Sequence, residues 1–153
     1  MNYIDIWDTS KVIVELGQHD LSSIAMKKTV EEIIVHERFI GWPKGVNDIA
    51  LLKLEDPVDF DKYPNIRPIC LPSTSTEDYT GSSAIVAGWG MTGMTAGQSD
   101  VLMEATVSVL PKSECEGFSR HDSIICAKTT GNKENNSVQG HCRGDSGQIT
   151  LLD

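Results

Sequence analysis

Two short strings hold residue types that could do chemistry. The first is Cys142-Arg143-Gly144-Asp145-Ser146-Gly147. Glycines on either side let backbone N–H groups turn inward around Ser146, which an acyl-transfer site needs to hold a developing oxyanion. The same Asp-Ser-Gly tripeptide also suits a plain tight turn, but a Cys four residues before the serine makes the string more specific. The second is Asn47-Asp48-Ile49-Ala50-Leu51-Leu52-Lys53-Leu54, an acid directly before an apolar strand. A carboxylate there, if buried, needs a partner such as an imidazole. The alternative is a solvated aspartate at a strand start.

Composition narrows the classes of function. The chain has 153 residues, 13 basic against 22 acidic, for a net charge of −9. That sign disfavours nucleic acid, where affinity comes from neutralising phosphates, and disfavours anionic membrane surfaces. No apolar run approaches the roughly 18 residues of a membrane span. No D-x-D-x-D-G calcium loop occurs, and no metal or cofactor is expected. The four cysteines, Cys70, Cys115, Cys126 and Cys142, form no C-x-x-C pair, which argues against zinc ribbons and thioredoxin motifs. Cysteines so spaced in a β-rich chain fit an oxidising compartment. Met1 to Asp8 has no basic start and no apolar run, so no signal peptide is read there. The combination predicts a secreted parent protein whose N-terminus lies upstream.

The elements that must position these residues read as short strands. Val12 to Leu16, Val30 to Val35, Ile49 to Leu54, Ala84 to Val86, Val101 to Leu110 and Ile124 to Ala127 are the candidates. Gly41-Trp42-Pro43, Asp56-Pro57, Tyr63-Pro64-Asn65 and Leu71-Pro72-Ser73 separate them. Many short strands divided by Gly, Pro and Asn predict an all-β sandwich or barrel. Only Pro111 to Cys115 looks helical, with Pro in a first-turn position. Asp56 to Gly81 has the composition of a connector between two strand clusters. Met91 to Asp100 and Lys128 to Gln139 read as surface loops, and Asn135-Asn136-Ser137 is a glycosylation sequon on the second.

Together with Leu16-Gly17-Gln18-His19-Asp20-Leu21, Arg67-Pro68-Ile69-Cys70-Leu71-Pro72 and Ala87-Gly88-Trp89-Gly90, the two strings resemble the trypsin-like (chymotrypsin-fold) serine proteases, in order and at family-like spacing. The resemblance implies a two-barrel, all-β Greek-key fold, with residues 1–72 as the remainder of the first barrel plus the start of the connector. Residues 73–153 would be a partial second barrel. It makes Ser146 the nucleophile, Asp48 the acid that orients the catalytic histidine, and the N–H groups of Gly144 and Ser146 the oxyanion hole. Asp145 matches the acid that pairs with the amino terminus released on activation. Cys115 and Cys126 match a disulfide, while Cys70 and Cys142 match cysteines whose partners are not in this chain. Gly140, His141 and Arg143 fall in the specificity pocket. Implied partners are protein or peptide substrates and protease inhibitors.

Three departures from the family shape the expectation. The family histidine lies in an Ala-Ala-His-Cys string upstream of the acid, yet only His19 and His36 precede Asp48 and neither is followed by Cys; His121 and His141 come after it. The string is expected just before Met1. After Gly147 the family's Gly-Pro continuation is replaced by Gln148-Ile149-Thr150-Leu151-Leu152-Asp153, so the fold is expected to be incomplete at both ends. Gly140 stands where trypsins carry the acid that selects Lys or Arg. A serine without a positioned base is a poor nucleophile, so the chain alone is expected to lack peptidase activity. The expected function is that of a serine endopeptidase, represented here by a fragment or truncated isoform. The alternative is a non-catalytic homologue acting as a binding or regulatory module.

Overall fold

The structure, a computed structural model, describes residues 8–23, 26–41, 44–72, 78–92, 97–115, 121–129, 145 and 150–152. It is all-β, with two antiparallel sheets, consistent with the expected trypsin-like fold.

The first sheet holds three strands, β1 (Ile13–Leu16), β2 (Met26–Val35) and β3 (Ala50–Leu54), in the order β1-β2-β3. β1 stops at Gly17, whose φ of 70° is a left-handed conformation open to glycine at no Cβ cost. β2 contains the run Val30-Glu31-Glu32-Ile33-Ile34-Val35, which does not alternate. A bulge resolves it: Val30 pairs with Leu54 and Glu32 with Lys53, leaving Glu31 as the extra residue. The shift turns Val30, Ile33 and Val35 to one face and sends Glu31, Glu32 and Ile34 outward, as their burial shows. The outer face is charged, with Glu15 on Lys27 at 3.0 Å and Glu31 on Lys53 at 2.9 Å.

The second sheet runs β6-β5-β4-β7, from β4 (Ser83–Gly88), β5 (Met103–Leu110), β6 (Cys126–Thr129) and β7 (Thr150–Leu152). Three consecutive antiparallel strands followed by a fourth that returns beside the first is the Greek-key order. Its core is Ala84, Val107 and Val109, with Tyr79 and Val86 packed against them. Ala84 faces Val107 across the β4–β5 ladder, and both are buried.

His19 joins the two sheets. Its carbonyl accepts both the Trp89 indole N–H, at 3.1 Å, and the Leu102 N–H, at 2.8 Å. One residue on, Asp20 bridges Val101, and the Leu21 N–H donates to the Asp100 carbonyl at 2.8 Å.

The structure corrects several sequence expectations. Val101 stays outside β5, held by the Asp20 bridge. The predicted strand over Ile124 to Ala127 is shifted to Cys126–Thr129, so Lys128 and Thr129 belong to a strand rather than to a loop. The Pro111 to Cys115 segment is a single 3₁₀ turn, Lys112–Glu114, with Pro111 as its N-cap rather than its first residue. A similar turn, Thr9–Lys11, is capped by the Asp8 carboxylate, which accepts the Ser10 N–H. Thr150–Leu152, read only as a departing tail, pairs with Ala84 to Val86.

Candidate active site

Asp48 sits two residues before β3, in a sharp reversal. The Ile49 N–H closes back on the Asn47 carbonyl at 2.9 Å, which makes Asp48 the apex of a γ-type turn. Asn47 holds a φ of 53°, the left-handed region that asparagine tolerates better than most residues. Two bonds hold it there. Its Nδ2 donates to the Arg38 carbonyl at 2.8 Å, and its backbone N–H donates to Ser123 Oγ at 2.9 Å. Ser123 belongs to the turn that leads into β6, so the residue before Asp48 is tied to the part of the chain that carries the second sheet.

Asp48 is exposed, and no described residue makes a hydrogen bond or ion pair to it. The described histidines are occupied elsewhere. The His36 ring Nδ1 accepts the Arg38 N–H at 3.0 Å, and His121 Nδ1 meets Ser123 Oγ at 2.9 Å. His19 is used through its carbonyl, as above.

Asp145 is buried, 7% exposed. Its Oδ1 accepts the Gly90 N–H at 2.6 Å. A buried carboxylate is tolerable only when its lone pairs are met. Gly90 is suited to meet one, because a Cβ at this position would fall on the Asp145 carboxylate. The contact fastens the backbone next to Ser146 to the end of β4, immediately after Gly88-Trp89. The Ala87-Gly88-Trp89-Gly90 string thus has two jobs: Trp89 ties the sheets together and Gly90 receives the acid.

The Cys115–Cys126 disulfide is present and closes the segment between the Lys112–Glu114 turn and β6. Lys112 pairs with Asp122 across the same segment, beside the bridge. That contact holds the Asp122 carboxyl below the usual carboxylate range. Cys70 is an exposed thiol with no disulfide partner among the described residues. Gly140, His141, Cys142, Arg143, Gly144, Ser146 and the sequon residue Asn135 lie outside the described residues, so the oxyanion hole, the nucleophile and the specificity pocket are not placed.

Sequence reasoning passed over Asn47, Ser123 and Gly90. Asn47 stood in the quoted string, and Asn directly before Asp is a recognisable turn signal. Ser123 has no local signal, because its role exists only through a partner 76 residues away.

Comparisons with known proteins agree with the architecture. The family model described as Trypsin matches residues 6–149. The chain is 37% identical over 146 residues to Serine protease SSP1 of Scolopendra subspinipes, covering 93% of this chain and 48% of that protein. It is 33% identical over 157 residues to Melanization protease 1 of Drosophila melanogaster, covering 96% of this chain and 38% of the relative. A similar match, 33% over 144 residues, is to a Venom protease of Bombus pensylvanicus, covering 91% of this chain and 56% of that protein. The chain therefore spans about half, or less, of the length of these relatives. Among the described residues no helix is long and apolar enough to cross a membrane.

Proposed function

The chain belongs to the trypsin family of serine proteases, and from that premise we propose that it is part of a secreted endopeptidase that cleaves peptide bonds through an acyl-enzyme on Ser146. In this reading Asp48 orients the imidazole that takes the Ser146 proton, and the Gly144 and Ser146 N–H groups hold the tetrahedral oxyanion. Residues 1–72 belong to the first barrel and 73–153 to the second. Gly140, His141 and Arg143 line the specificity pocket, and Asn135 carries a glycan. Cys70 and Cys142 bond to cysteines outside the 153 residues. Substrates are proteins or peptides, and protein inhibitors of proteases bind the same cleft.

The observation that carries the reading is the buried Asp145 carboxylate on the Gly90 N–H. It fixes Asp145, the residue that precedes Ser146 in the sequence. The reading also takes the catalytic histidine from an Ala-Ala-His-Cys-like string upstream of Asp48, as the family resemblance implies; the described His36 and His121 rings bond Arg38 and Ser123. The 153-residue chain alone is then a negligible peptidase. A fluorophosphonate probe tests this: Ser146 should label no faster than free serine. Labelling at the rate of an intact protease would refute it. The transcript upstream of Met1 should encode an Ala-Ala-His-Cys-like string.

A second reading is a non-catalytic family member that binds partners through its surface loops. The exposure of Asp48, with no described imidazole on it, favours this one. Gln or Ser in place of histidine in the upstream string would decide for it.

A further inference from the structure

Asn47, the left-handed residue before Asp48, is held by two bonds, and each bond leads back to a histidine. Its Nδ2 donates to the Arg38 carbonyl at 2.8 Å, and its backbone N–H donates to Ser123 Oγ at 2.9 Å. Arg38 is itself fixed by His36, whose ring Nδ1 accepts the Arg38 N–H at 3.0 Å. His121 fixes Ser123 in the same way. The Ser123 N–H donates to His121 Nδ1 at 3.2 Å, and the Ser123 hydroxyl lies 2.9 Å from that nitrogen. Each histidine stands two residues before the residue it holds, one directly after β2 and one in the turn before β6. His36 also reaches the far side of Asp48, since its backbone N–H donates to the Ile49 carbonyl at 3.1 Å.

An Nδ1 that accepts an N–H carries a lone pair and no proton, so each ring is neutral with its proton on Nε2. The Ser123 hydroxyl then turns its hydrogen to His121 and offers a lone pair to the Asn47 N–H. Protonation of either ring puts a hydrogen on Nδ1, against the N–H that was bonded there. The Arg38 and Ser123 amides lose their acceptor, and the Ser123 hydroxyl must turn to accept from the ring. Imidazole is the side chain that makes this change between about pH 5 and 8. Charged groups adjoin both rings. Glu37, paired with Arg38 at 3.3 Å, follows His36, and Asp122, paired with Lys112, follows His121. Arg38 and Lys44 line the same groove as His121, and Asp48 follows Asn47. These groups set where on the pH scale each ring charges; the Nδ1 lone pair sets the direction of the effect.

We propose that His36 and His121 form a pH-sensitive clamp on the turn at Asn47 and Asp48, closed while both rings are neutral and opened as either takes up a proton. Bonds that need the neutral ring are whole at high pH and are lost as pH falls. The turn that presents Asp48 then gains freedom, and so does the link from the first-sheet side to the turn before β6. The clamp is built from hydrogen bonds among described residues and requires no catalytic role for Asp48. Only its consequence for peptide cleavage rests on the reading of Asp48 as the orienting acid, so its test reads the turn and not activity.

Ring-nitrogen NMR and amide hydrogen exchange on the full 153-residue chain test it. At about pH 8 both His36 and His121 should show the Nε2–H tautomer. Between about pH 8 and about pH 5 the protection factors of the Arg38, Asn47 and Ser123 amides should fall together, about fivefold for each bond lost. Asparagine places an Oδ1 near the position of Nδ1 and accepts the N–H two residues on, yet takes up no proton. His36→Asn combined with His121→Asn should therefore keep the protection seen at high pH and abolish its fall at low pH. His19→Asn, at a histidine that serves through its carbonyl, should leave the fall in place. Protection that does not change with pH in the unaltered chain, or that falls equally in the double variant, would overturn the proposal. So would an Nδ1–H tautomer at either ring, an outcome that needs no variant to fold.

Discussion

The Asp145 Oδ1 accepts the Gly90 N–H at 2.6 Å, joining the end of β4 to the residue before Ser146. The approach is so close that the glycine is specified by the acid and not by its own backbone angles. A Cβ at position 90 occupies the space of the carboxylate. Gly90→Ala is therefore expected to lower stability by about 2 kcal/mol, from the displaced carboxylate and its strained or lost hydrogen bond. Urea unfolding measures this. The double change Gly90→Ala with Asp145→Ala should cost less than the sum of the two singles, because either one removes the same contact. Strict additivity would mean that the two residues do not constrain each other.

Asn47 supplies a second test of close geometry. Its φ of 53° is costly for a residue with a Cβ and no local hydrogen bond. Asn47→Ala should lower stability by about 1–2 kcal/mol, by combining left-handed strain with loss of the Nδ2 bond to Arg38. Asn47→Gly removes the strain and loses only the bond, so it should cost less. Ser123→Ala should speed hydrogen exchange at the Asn47 amide, since that N–H loses its acceptor. An unchanged exchange rate would show that Ser123 does not hold the loop before Asp48.

How far this architecture was legible depended on the range of the forces involved. The apolar runs marked β1, the end of β2, β3, the middle of β4 and β5, because alternation and turn residues are local. The start of β2 at Met26-Lys27-Lys28-Thr29 escaped notice because Lys27 lies on a charged outer face, where its partner Glu15 is on another strand. β7 escaped because three residues carry no period by themselves; pairing with Ala84 to Val86 makes them a strand. The family strings correctly pointed to the Cys115–Cys126 bridge. They could not show that Asp48 would be exposed, which depends on what stands over it, or that Ser123 would hold Asn47 from 76 residues away.

Exposed charges give pH effects of definite sign. Hydrogen bonds from Ser22, through its hydroxyl and its backbone N–H, hold the Asp20 carboxyl below the usual range, and Lys112 does the same for Asp122. A carboxylate lowered in the folded state stabilises it fully above the ordinary value of about 4, and the gain is lost as pH falls through the lowered value. Lys53 has the opposite sense. Glu31 raises it, so its contribution is full below the ordinary lysine value of about 10.4 and is lost as pH rises through the raised one. Side-chain carboxyl NMR should show Asp20 and Asp122 titrating below the usual aspartate range. Lys112→Met should return Asp122 to the ordinary range and leave Asp20 unmoved. A common shift of both would point to a global charge effect rather than to these contacts.

The bulge in β2 makes the most discriminating prediction about the fold. Val30 pairs with Leu54 and Glu32 with Lys53, so Glu31 is surplus to the ladder. Deleting Glu31 alone leaves Val30 facing inward, Glu32 outward and Ile33 inward, in unbroken alternation. Lys53 loses its 2.9 Å contact with Glu31, but Glu32 stands directly opposite it in the register. The cost is that of one exposed ion pair, which is small. Deleting both Glu31 and Glu32 places Val30 next to Ile33 and forces one of them to the outer face. A slip of one residue carries every later side chain with it, so either the 3% exposed Val30 or the Ile33–Val35 pair leaves the interior. Removing a buried branched side chain from its packing costs about 2–4 kcal/mol. Urea midpoints of the two deletions should therefore differ by far more than one glutamate can explain. Equal midpoints would mean that the bulge does not set the inward face of this strand.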